Sequence, residues 1–172
     1  MAESKVKGEV FRVILKLVAY KWGTDALKII GQSPDKYLTE QWYPYSEFCD
    51  ILAAVKSTVG NNNPMIIYQL GFNTIKKDKH WQNTFISKNP VEVFNSTEHQ
   101  DTQYKVGTYS AVGIGPKHIR LTMNCPDCRL EWCEFYRGRL QGVLELTGRT
   151  GVVHLMPSGE DKTQRVYDVK WG

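Results

Sequence analysis

The period of the apolar residues changes once along this chain, near residue 105, and that change constrains the fold more than anything else in the sequence. Upstream the spacing is helical. Val6, Val10, Val13, Ile14, Leu17 and Val18 make one stripe, which Gly23 ends. Thr24 is placed to cap a short second helix carrying Ala26, Leu27, Ile29 and Ile30, closed by Gly31. A third helix is expected from Ser46, with Phe48, Ile51, Leu52 and Val55 inward, stopping at Gly60. Asn63-Pro64 opens a fourth, followed by Met65, Ile66, Tyr68, Leu70 and Phe72. Trp81, Phe85, Val91, Val93 and Phe94 suggest further helical turns, broken at Pro90.

Downstream the period is two. His118-Ile119-Arg120-Leu121-Thr122-Met123 alternates polar and apolar as a half-buried strand does, after a strand around Thr108–Val112 and a turn at Gly113, Gly115 and Pro116. One helix interrupts from about Leu130 to Leu146. Val152–Met156 and Arg165–Lys170 then read as a hairpin around residues 157–161. Helices followed by an antiparallel sheet with one helix packed on it make an α+β protein. With 172 residues and no repeat, the expectation is a single domain over 1–172, mainly helical over about 1–104 and sheet plus one helix over about 105–172.

Charge excludes one class of partner. Lys and Arg number 22 against 18 Asp and Glu, a formal +4 spread along the chain, which is not the dense basic face of a nucleic-acid binder. No apolar run reaches the roughly 20 residues of a membrane span, and the N-terminus has no apolar signal core, so the expectation is a cytoplasmic protein. Phosphate-cradling, dinucleotide, zinc-protease and nucleophile-elbow motifs are absent, and the acidic residues form no pair suited to acid–base work. The chain reads as a non-enzyme.

Two features can carry chemistry. Cys125-Pro126-Asp127-Cys128, with Cys133 beyond it, sits where a strand meets a helix. Three thiolates there can hold a tetrahedral zinc, with Cys49 or His118 as the fourth ligand; alternatively they switch with redox state, or simply fill space. His99, in a polar stretch before the sheet, can ligate iron if its helix faces a cavity. The many aromatic residues of the helical half are either a core or the wall of such a cavity.

The runs Val6–Phe11, Tyr20–Leu27, Phe48–Phe72 and Phe135–Leu144 together resemble haem–nitric oxide/oxygen binding (H-NOX) domains, the related 4-vinyl-reductase domains and uncharacterised myxobacterial relatives. The likeness covers nearly the whole chain in order and length. It implies helices capping a helix-and-sheet subdomain, with a cavity between them that in H-NOX domains holds haem through a histidine matching His99. The family's Tyr-x-Ser-x-Arg signature, which grips the haem propionates, is replaced by Met123-Asn124-Cys125-Pro126-Asp127. What the resemblance implies is a sensory domain that binds haem, a gas or another small apolar ligand, and signals to a protein partner. The other readings are a cofactor-free adaptor, or a zinc or redox sensor built on Cys125, Cys128 and Cys133.

Overall fold

The computed structural model describes residues 3–86, 88–96, 103–125, 127–157 and 163–172. Helix α1 (Gly8–Trp22) carries the first stripe inward through Val10, Phe11, Ile14 and Val18. It stops at Gly23, whose φ of +84° only glycine adopts freely and whose N–H closes on the Ala19 carbonyl. Helix α2 (Thr24–Ile29) starts at Thr24 itself, with no side-chain cap, and buries Ala26 while Ile29 is exposed. Helix α3 (Tyr45–Thr58) buries Phe48, Ile51, Leu52 and Val55, and α4 (Met65–Lys76) buries Ile67, Leu70 and Ile75. Two short helices follow, α5 (Lys79–Phe85) and α6 (Pro90–Asn95). Pro90 opens α6 rather than breaking a helix, because Asn89 caps it by accepting the Val91 N–H at 3.0 Å.

Val6 is not in the first helix. It lies in β1 (Lys5–Lys7), at the centre of a small antiparallel sheet ordered β2-β1-β3, with β2 (Trp42–Pro44) and β3 (Tyr104–Lys105) on either side. Strands of two or three residues are too short to print a period on the sequence. This sheet joins the chain's beginning to the start of its second half, since Val6 pairs with both Tyr43 and Tyr104.

The main sheet is antiparallel throughout and ordered β4-β5-β7-β6, with β4 (Thr108–Gly115), β5 (His118–Asn124), β6 (Gly151–Leu155) and β7 (Gln164–Trp171). Ile119, Leu121, Met123, Val153, Tyr167 and Val169 are buried. On the opposite side of the pleat Arg120 clasps Asp168 through Nε at 2.9 Å and Nη2 at 3.3 Å. That bidentate bond holds the Asp168 carboxyl below the usual carboxylate range.

Helix α7 (Leu130–Leu146) is the axle of the molecule, packed between α4 and the sheet. It is therefore buried around most of its circumference. Its closest neighbour is α4, and the approach depends on glycine: a Cβ at Gly138 would overlap the Tyr68 carbonyl, and one at Gly71 the Phe135 carbonyl. On the sheet side the Gln141 amide behaves like an extra strand residue. It accepts the Val153 N–H at 3.0 Å and donates to the Gly151 carbonyl at 3.0 Å. The α+β class, the order of the long elements and α7 itself agree with the sequence reading. The tip of the last hairpin falls largely outside the described residues.

Candidate functional site: a thiol cluster beneath a filled seam

The chemistry-bearing side chains converge where β5 ends and α7 begins. Cys125 follows the last residue of β5, Cys128 lies in the connection, and Cys133 stands in the first turns of α7; all three are buried and unpaired by disulfides. Cys128 is the middle member, close enough to the Cys125 and Cys133 thiols for hydrogen bonding among the sulfurs to shift all three. Those bonds and burial push its own pKa far up. The same bonds hold Cys125 and Cys133 below the ordinary thiol value, with help from the Asp127 backbone for Cys125 and from Arg165 for Cys133. Cys49, on α3, is near enough to Cys125 to feel its charge, but burial pushes it up to about 12.

Both halves of the molecule grip this cluster. From α3, Tyr45 accepts the Arg129 N–H at 3.2 Å, with the Cys49 and Cys125 thiols near enough to its hydroxyl to add to the rise in pKa that burial causes. Asp50 binds Arg129 Nη1 at 2.6 Å, and Lys56 pairs with Glu131 at 2.6 Å. From β7, Arg165 Nη2 donates to the Cys128 carbonyl at 3.2 Å, and the Tyr167 hydroxyl donates to the Cys133 carbonyl at 3.3 Å.

The zinc expectation finds no support among the described residues. Cys125, Cys128 and Cys133 do meet, but among the described residues no group of three or more His, Cys, Asp or Glu side chains is arranged to hold a metal ion. Neither suggested fourth ligand completes a set. Cys49 is buried with its thiol pushed up by desolvation, and His118 begins β5, at the far end from Cys125, with Nε2 at 3.5 Å from Asp168.

Above the thiols the seam between helices and sheet is filled by rings. Trp132 packs against Tyr45, Phe48, Tyr104, Phe135 and Tyr136, with centroids 5.2–6.1 Å away. Its indole N–H reaches the Met123 sulfur at 3.4 Å. Arg139, one turn beyond Tyr136, is buried as well. It donates to Thr74 Oγ1 at 3.2 Å and Gln103 Oε1 at 3.1 Å, with its guanidinium 4.6 Å from the Tyr104 ring. A half-open depression beside Arg139, walled also by Glu9, Val10 and Asp78, has a volume of about 10 Å³.

The sequence reading singled out neither Trp132 nor Arg139. Their signal was present in the helical spacing Trp132, Tyr136, Arg139, Val143, which places an arginine on an otherwise apolar stripe. Tyr45, Arg165 and Tyr167 carried no signal, because distant segments bring them to the cysteines. His99 lies outside the described residues.

No protein-family model and no curated protein matches this sequence. Solved structures do match. The Fe(II) unliganded H-NOX protein from K. algicida superposes with a TM-score of 0.72 at 19% identity, covering 96% of each chain. A point mutant of T. tengcongensis H-NOX gives 0.71 at 19%, covering 96% of this chain and 97% of that one. A structure solved to probe the function of haem distortion in the H-NOX family gives 0.69 at 18% identity, covering 96% and 94%. The chain has the H-NOX fold.

Haem, which that fold brings to mind, does not fit the seam as the described residues pack it. A void able to hold a macrocycle is on the order of several hundred Å³, and its walls are accessible from inside. Here Phe48, Tyr104, Trp132, Phe135 and Tyr136 each keep 5% or less of their surface accessible. Over these described residues the seam is a ring-packed core.

Proposed function

We propose that this chain is a non-enzymatic sensory domain that uses the H-NOX fold without haem, with the Cys125, Cys128 and Cys133 thiols as its responsive element. The observation that carries the reading is the placement of those thiols. They cluster where β5 meets α7, near enough to shift one another's titration, and the residues around them come from α3, α7 and β7 together. A change in bonding between the sulfurs is felt on both sides of the seam at once.

The stimulus we assign is a peroxide. The sulfur of Cys125 attacks hydrogen peroxide, the O–O bond breaks, one oxygen leaves as water and the other stays on sulfur as a sulfenic acid. The Cys128 thiol then displaces that hydroxyl as a second water, leaving a Cys125–Cys128 disulfide. Two thiols are oxidised and one peroxide is reduced. The Cys128 hydrogen leaves in that second water, so its interaction with Cys133 is lost, and the start of α7 shifts against Tyr45 and Asp50. A partner protein reads that shift at the surface.

Treating the purified full chain with hydrogen peroxide tests this. The intact mass is expected to fall by about 2 Da, with Cys125 and Cys128 in one linked peptide and full reversal by a reducing agent. Cys128→Ser is expected to abolish the link, whereas Cys49→Ser leaves it in place. A link that forms equally in Cys128→Ser, or oxidation confined to Cys49, contradicts the proposal.

The second reading, gas sensing through haem held by His99, is favoured by the neighbours, of which one is an Fe(II) H-NOX and another concerns haem distortion. It requires the Trp132 seam to open, and an absorption spectrum separates it from the first.

A further inference from the structure

We infer that the cleft between the end of α1 and α4 is a binding site for a small amphipathic carboxylate. The cleft has a volume of about 260 Å³ and is floored by Leu17, Trp22, Ile66 and Leu70. That is smaller than the roughly 300–1,000 Å³ of pockets for drug-sized molecules, so it suits a single ring or a short chain. Its rim is cationic: Lys21 and Lys77 stand there, no acidic residue lines it, and the other polar lining groups are the side chains of Tyr20, Gln69 and Asn73.

Neither ammonium has a described carboxylate within ion-pair distance. Lys21 makes do with Gln69 Oε1 at 2.7 Å and the face of Trp22 at 4.7 Å, and Lys77 lies over the exposed Tyr20 ring at 4.6 Å. The contrast with neighbouring Lys76, which pairs with Glu145, is instructive. Apolar surface open to water, beside two cations with only neutral partners, is complementary to a molecule with an apolar body and an anionic head. A carboxylate gives both ammoniums charge-assisted bonds that an amide and two rings do not.

Calorimetric titration of 4-phenylbutyrate into the full chain, with amide shift mapping, tests the site. Saturable binding with shifts confined to the end of α1 and the facing side of α4 is expected. Lys21→Gln/Lys77→Gln, both at the surface, is expected to weaken it about tenfold, and the uncharged 4-phenylbutan-1-ol is expected to bind about tenfold more weakly to the unaltered chain. Absence of saturable binding through the millimolar range overturns the inference. So does equal binding of the alcohol, unchanged affinity in the double variant, or shifts centred instead on a second depression, of about 350 Å³, lined by Lys88, Lys117 and Arg149.

Discussion

Gly138→Ala is expected to cost about 3 kcal/mol or more of unfolding free energy, near the upper end for overpacking a core. The added methyl has nowhere to go. It meets the Tyr68 carbonyl, with the Tyr68 carbonyl carbon and the Phe72 nitrogen close behind, so backbone rather than a pliant side chain must yield. Helix α7 cannot retreat, because its other face is held by Val153 through the Gln141 amide and by Tyr167 through the Cys133 carbonyl. Gly71→Ala meets the same obstacle from the opposite helix, at the Phe135 carbonyl. Gly113→Ala is the control. It lies on exposed β4 with open space around it, and a change within about 0.5 kcal/mol is expected. Chemical denaturation of the three variants, read by circular dichroism, checks the ranking.

Trp132→Ala is the second large effect, about 3–5 kcal/mol of destabilisation. The indole is 1% accessible and touches rings from α3, β3 and its own helix, so truncation leaves a cavity that five bulky neighbours cannot all collapse into. Such a cavity, lined by aromatic carbon, stays dry and takes up benzene or xenon. If Trp132 were instead the wall of an open ligand cleft, the space would exist already. Truncation would then cost about 1–2 kcal/mol, and the unaltered chain would take up the same apolar probes. Denaturation midpoints with and without benzene distinguish the two cases.

Legibility in the sequence followed element length. Helices α1, α3, α4 and α7 and the strands of the main sheet span enough residues for their burial pattern to show, and Leu130–Leu146 lies where the spacing places it. The sheet β2-β1-β3 was hidden because two or three residues have no period, although Val6 there fastens the two halves together. At the site, local spacing announced Cys125, Cys128 and Cys133. Their partners were silent, since Tyr45 is 80 residues before Cys125 and Arg165 is 32 residues after Cys133. The cavity question is of the same kind. Whether aromatic residues line a space or fill it depends on where rings from several elements meet, and here Tyr45, Phe48 and Tyr104 all meet on Trp132.

That filled seam is the core of the functional proposal, and an absorption spectrum tests it most directly. The full chain, produced with ample haem supply and then purified, is expected to show no Soret band near stoichiometry, and added hemin is expected to wash out on gel filtration. A Soret band at one haem per chain, retained through purification and lost in His99→Ala, would contradict the account.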